Sequence, residues 1–262
     1  MTRSGSCLCV LRALALIGAV TWSAGAEAQP QGTDYGDAPE NVLAYPSTGG
    51  MGFFPTCLAG PSAYVRHGLG WARFGSWDSE GDGNAGICPQ PPYDLDECWS
   101  DGDAGLVFPT AFTIVGASVV RCPNVTTPVP LGVACTMAQV RANYVNNMPV
   151  TGYINVLFDW DLSGRWGGGW QCPAASAPEH AVVNVPVAAG SSGLWTSPPF
   201  LVGSTGGVHV WMRLEIAERP VPPNWDGSDV FEDGESEDYL VEVTAPVPVE
   251  QGSWGQIKSV YR

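Results

Sequence analysis

Val208-His209-Val210-Trp211-Met212-Arg213-Leu214-Glu215-Ile216 decides the fold class. Val208, Val210, Met212, Leu214 and Ile216 form one apolar row, and His209, Trp211, Arg213 and Glu215 form the other. A two-residue period puts alternate side chains on opposite faces of a strand, and no helix produces it. The stretch predicts a half-buried antiparallel strand. Tyr153 to Trp160 behaves likewise, with Ile154, Val156, Phe158 and Trp160 on one side. In Ala181 to Val187 every odd position is apolar, and Tyr239 to Val243 closes the set. The Tyr239 segment is expected to pair with 208–216 as a hairpin, which offers Arg213 an ion pair with Glu235 or Glu237. Thirty-three glycines and 23 prolines punctuate these runs and leave no amphipathic stretch of helix length in the body. The prediction is an all-β protein, an antiparallel β-sandwich of jelly-roll or Ig-like type over 106–244. A long loop-rich segment, 29–105, precedes it, and a linker with a short C-terminal tail, 245–262, follows.

Residues 1–28 read as a secretory signal peptide. Arg3 opens it, Cys7 to Val20 is apolar apart from Arg12, and Ala24-Gly25-Ala26 and Ala26-Glu27-Ala28 offer small-residue cleavage sites. The run Ala104 to Val120 is interrupted by Pro109 and reads as strands. A secreted or cell-surface protein without a membrane span after cleavage is therefore expected. In the tail, Trp254, Ile257 and Tyr261 have helical spacing. The tail reads either as a frayed terminus or as a docking or sorting tag; its Trp-Gly-x-Ile-Lys segment resembles tails that end other exported bacterial proteins.

The formal net charge is −15. Nucleic acid and anionic membranes are poor partners for such a surface. The acids are gathered: three at 34–40, three at 78–82, five at 94–103, two at 159–161 and seven at 226–238. Gathered carboxylates on loops suit cation binding better than solubility alone. Beyond the signal stand Cys57, Cys88, Cys98, Cys122, Cys135 and Cys172, an even set that predicts three disulfides of open pairing. None has CxxC spacing, and His67, His180 and His209 add no zinc-ligand pattern.

Asp159-Trp160-Asp161-Leu162-Ser163-Gly164 follows a strand and matches the opening of a calcium loop, with oxygen donors at alternate positions and a glycine for the sharp turn. The position where an EF-hand carries its bidentate acid is Trp170, so further carboxylates must come from elsewhere. Asp226, Asp229, Glu232, Asp233, Glu235, Glu237 and Asp238 are the candidates to complete a calcium site with Asp159, Asp161 and Ser163. Asp34, Asp37, Asp78, Glu80 and Asp82 are candidates for a second one. The plain alternative for each is a turn whose aspartates cap backbone amides.

Three of these stretches carry a resemblance. Asp34-Tyr35-Gly36-Asp37-Ala38-Pro39 is similar to the opening motif of bacterial surface proteins with a GEVED domain. Gly234-Glu235-Ser236-Glu237-Asp238-Tyr239 resembles the motif that names the domain, with Ser236 in place of valine. Asp159-Trp160-Asp161 is similar to an internal Asp-Trp-Asn stretch of the family, and Asp94 to Asp103 resembles its Asp-Asp-Glu-Asp-Gly region more loosely. The resemblance implies an extracellular β-sandwich, often within surface or adhesion proteins, and no catalytic activity.

The residues themselves agree in showing no Gly-x-Ser-x-Gly elbow, HExxH or P-loop. The expected function is thus a non-enzymatic surface or extracellular structural or adhesion-type protein with calcium-stabilised loops, meeting a cell-surface or extracellular polymer. The alternative is a carbohydrate-binding module, since the chain has 11 tryptophans. Trp166 and Trp170 flank Gly167-Gly168-Gly169, and Trp211 lies on the polar row of its strand; these are the candidates to stack on sugars. A secreted hydrolase using paired carboxylates is the remaining reading, because the separation that matters is spatial.

Overall fold

A computed structural model describes residues 33–56, 64–68, 71–75, 105–122 and 125–246. Its first strands are β1 (Thr33–Asp34), β2 (Glu40–Tyr45), β3 (Gly50–Phe53), β4 (Val65–Gly68) and β5 (Ala72–Phe74). Then come β6 (Leu106–Phe108), β7 (Ala111–Val115), β8 (Ser118–Arg121), β9 (Gly132–Val133), β10 (Met137–Ala138), β11 (Arg141–Asn146) and β12 (Gly152–Phe158). The last are β13 (Gly169–Gln171), β14 (Ser176–Pro178), β15 (His180–Val187), β16 (Ser191–Thr196), β17 (Phe200–Leu201), β18 (Val208–Ala217), β19 (Asp229–Val230) and β20 (Gly234–Thr244). The fold is all-β, and the described residues contain no helix.

The main sheet runs β15-β12-β18-β20-β7-β8, with β9 beside β20. A smaller sheet runs β16-β11-β5, with β6 beside β11. The expected hairpin is present: β18 and β20 pair antiparallel from Val208 opposite Val243 to Ala217 opposite Gly234. Val210, Met212, Leu214 and Ile216 pack with Phe74, Ala142 and Trp195 of the smaller sheet, which makes the sandwich interior. Side chains of this size contribute about 1.5–3 kcal/mol each when fully buried.

The expectation of a half-buried strand is corrected by the second row. Trp211, Arg213 and Glu215 are buried as deeply as the apolar row. Trp211 and Ala217 belong to a second cluster with Tyr45, Phe54, Val65, Trp166, Trp225 and Phe231, drawn from the N-terminal strands and from loop residues. Strands β1–β4 and the loop 218–233 thus lie over the outer face of the main sheet. Trp211 and Arg213 tolerate enclosure because Ala44 O and Asp238 meet them there, and Glu215 bonds Ser236 through one of its two oxygens.

Cys135 and Cys172 form a disulfide, and Cys122 is also disulfide-bonded. Cys57, Cys88 and Cys98 lie outside the described residues, as do residues 1–28, expected to be a signal peptide, Asp78, Glu80, Asp82, the 94–103 acids and the tail.

Candidate functional site

Strand β12 ends at Phe158 and delivers Asp159 into the interior. Alongside it runs β15, with Leu157 opposite His180, so Glu179 arrives beside Asp159 from the neighbouring strand. Asp161 completes the group from the turn that follows. Single oxygens of Asp159, Asp161 and Glu179 all lie within 4.8 Å of one another, and Asp159 and Glu179 are buried while Asp161 is exposed. Among the described residues this is the one trio of its kind.

The turn wraps the carboxylates in donors. Asp159 Oδ1 accepts the Ser163 amide at 2.9 Å and the Ser163 hydroxyl at 3.2 Å. Its Oδ2 accepts the Gly164 amide at 2.6 Å and the Tyr45 hydroxyl at 2.5 Å. Asp161 Oδ1 shares the Ser163 amide at 3.0 Å. Glu179 accepts the Trp160 amide at 3.0 Å and the Gly168 amide at 2.5 Å. Gly164 sits at φ 76°, and a Cβ there would fall 2.2 Å from Met51 O, so glycine lets the loop lie flush on β3.

No arginine, lysine or histidine pairs with this trio among the described residues. Burial pushes Asp159 up to about 6, although the bonds from Tyr45, Gly164 and Ser163 pull it down. Burial also raises Glu179 to about 8; the Gly168 amide opposes this, and the charges of Asp159 and Asp161 add to it. Such a group either holds a proton or takes a cation in its place. All three side-chain donors are oxygens, which suits a hard divalent ion and not zinc or copper.

The acids of 226–238 take other partners. Asp226 accepts the Ser228 amide at 3.0 Å and its hydroxyl at 2.7 Å. Asp229 pairs with Arg219 at 3.0 Å. Glu232 is exposed, and Glu237 is half-buried opposite Leu214. Asp233 Oδ1 caps the amides of Trp71, Ala72 and Gly234 at 3.0, 3.2 and 3.0 Å. Glu235 accepts the Phe74 amide. The structure therefore brings Asp159 and Asp161 together, with Ser163 donating to both, and it does not gather the 226–238 acids with them.

Asp238 is the buried partner of Arg213, in a bidentate pair with Nε–Oδ1 of 2.8 Å and Nη2–Oδ2 of 2.6 Å. This corrects the expected pairing of Arg213 with Glu235 or Glu237. The register sets Asp238 opposite Arg213 on the outer face, whereas Glu235 and Glu237 oppose Ile216 and Leu214 on the other. The amides of Asp37 and Ala38 both donate to Asp238 Oδ2 at 2.8 Å. Asp34 Oδ2 accepts the Ser236 amide at 2.7 Å. A Cβ on Gly36 would stand 2.0 Å from Arg213 Nη2, so only glycine admits the guanidinium. Asp34 to Pro39 and Gly234 to Tyr239, distant in sequence, form one clamp, and Asp34 and Asp37 serve it.

Trp166 and Trp211 are enclosed, which corrects their assignment to a sugar-stacking platform. Trp166 packs on Phe54 with ring centroids 4.3 Å apart, and the Arg213 guanidinium lies 5.7 Å from its ring centre. Trp211 donates its indole N–H to Ala44 O at 3.1 Å. Trp170 on β13 is half-buried. Glu179 escaped the sequence reading because its neighbourhood with Asp159 is made by strand pairing; its place one residue before the strand that begins at His180 was the available signal.

Compared with family models, with curated proteins and with solved structures, the chain has no match.

Proposed function

We propose that the chain is an exported, non-enzymatic β-sandwich of the structural or adhesion type, acting outside the cell or on its surface, in which a calcium ion orders the 159–179 site. The observation that carries this is the convergence of Asp159, Asp161 and Glu179 without a cationic side chain. Calcium takes six to eight oxygen ligands, and three carboxylates with nearby backbone and water oxygens would supply them. The ion's role is structural: it replaces protons on buried carboxylates and fixes the turn against Tyr45 and β3. The likeness to GEVED-domain proteins rests on the motifs Asp34–Pro39 and Gly234–Tyr239, which meet in one clamp here.

The test is metal analysis of the purified protein, followed by melting in millimolar calcium and in EDTA. The expected outcome is bound calcium and a melting temperature several degrees higher in calcium. Asp161→Asn, at an exposed position, should abolish the increment while leaving the protein folded. Equal melting temperatures in calcium and EDTA would remove the cation from this reading. Cell fractionation with and without residues 250–262 tests surface display.

A further inference from the structure

A row of enclosed polar side chains runs across three strands under the N-terminal cover. Asn155 of β12 stands directly opposite Glu215 of β18, and Glu215 stands opposite Ser236 of β20. Directly opposed residues of antiparallel strands project on one face with Cβ atoms about 4.5–5.5 Å apart. Asn155 and Glu215 are both 0% exposed.

The outer ends of this row are satisfied. Asn155 Oδ1 accepts the Asn184 amide at 2.8 Å and faces His180 Nε2 at 3.0 Å. His180 Nδ1 lies 3.2 Å from Pro223 O. Glu215 Oε2 accepts the Ser236 hydroxyl at 2.9 Å and lies 3.6 Å from His67 Nε2. Because the Asn184 amide can only donate, the Asn155 oxygen must face it, and Asn155 Nδ2 must point away. Two buried atoms in the middle of the row then stand without a hydrogen-bond partner, Asn155 Nδ2 and Glu215 Oε1. One is a donor and the other an acceptor, on side chains that share a face of adjacent strands.

We propose that one ordered water molecule binds between Asn155 Nδ2 and Glu215 Oε1. The two atoms select the ligand by chemistry. It must accept from an amide N–H and donate to a carboxyl oxygen. A metal cation would meet the hydrogens of the amide, a halide would meet the carboxylate, and an ammonium group can only donate. Water does both, and enclosed waters in proteins serve such pairs. The ligand makes the polar row continuous from Pro223 O through His180, Asn155 and Glu215 to Ser236 and His67. It thereby ties the 218–233 loop and β4, both parts of the cover, to one line across the main sheet. This site is separate from the carboxylate trio and does not depend on a cation there.

A high-resolution crystal structure of the purified protein tests it. The expected result is a density peak within about 2.7–3.2 Å of both atoms. Glu215→Gln should keep the peak, because an amide still presents a group that bonds water. Asn155→Leu should lose the peak and melt at a lower temperature than the wild type. If Asn155→Leu fails to fold, NMR cross-relaxation between the Asn155 side-chain amide and a long-lived water in the wild-type protein decides, and its presence supports the site. A direct Asn155–Glu215 hydrogen bond, a wild-type structure without the peak, a peak unchanged in folded Asn155→Leu, or absent cross-relaxation would each overturn the proposal.

Discussion

Two buried acidic regions among the described residues solve one problem in opposite ways. At Asp238 a carboxylate taken out of water is met by a guanidinium and by the amides of Asp37 and Ala38. At Asp159 and Glu179 the enclosed carboxylates are met by amides and hydroxyls alone. Hydrogen bonds satisfy lone pairs without supplying charge, so the second region keeps its appetite for a proton or a cation and the first does not. Acid density in a sequence therefore says little about cation binding until the basic partners have been placed. The densest acidic run, 226–238, is the one largely resolved by Arg213, Arg219 and backbone amides.

The sharpest way to break this contrast is Arg213→Met. Removing one member of a buried pair leaves an uncompensated charge and costs about 3–5 kcal/mol, to be read from urea unfolding. A loss below about 1 kcal/mol would mean that the amides alone suffice at Asp238, and the two regions would no longer differ. Next in size is calcium itself. At about a hundredfold excess over its dissociation constant it should add about 2.7 kcal/mol to the wild type, and none to Asp161→Asn.

A smaller effect is the pH dependence without the ion. Glu179 in the folded protein lies at about 8, above its ordinary value of 4.5, so the native state holds the proton more tightly than the unfolded chain. Stability in EDTA should accordingly be greatest in mild acid and fall as pH rises from the ordinary value towards about 8. Saturating calcium, which favours the ionised form, should flatten that decline, and so should Glu179→Gln in EDTA. Unfolding midpoints across this range check it; a rise in stability with pH in EDTA would reverse the sign assigned to the site. Smallest of all is Asp226→Asn on the exposed 226–228 turn. It should change stability by less than about 0.5 kcal/mol and leave the calcium increment intact.

The strands were legible because side chains alternate between the faces of a strand, and 208–216, 181–187 and 153–160 keep one of those faces apolar. The second covering layer was not. Trp211, Arg213 and Glu215 read as a solvated row, since nothing local announces that residues 33–56 and 64–68 lie over them. Asp159 and Asp161 were legible from a short motif whose spacing is local. Glu179 was not, because its approach depends on the register between β12 and β15. The clamp shows the same limit: Arg213 could be matched to the acidic run, yet only the pairing of Val208 with Val243 selects Asp238 over its neighbours.

The clamp has a consequence for the order in which the chain acquires its shape. Asp37 reaches its acceptor across 201 positions of sequence, and Ser236 reaches Asp34 across 202. The Asp34–Pro39 segment therefore has no anchor until β20 is in place. Contacts of such range slow closure, because distant segments must meet before any of them forms. A chain cut short before residue 234 would lack Asp238, which accepts the amides of Asp37 and Ala38, and so would lose the anchor that holds this segment to the main sheet.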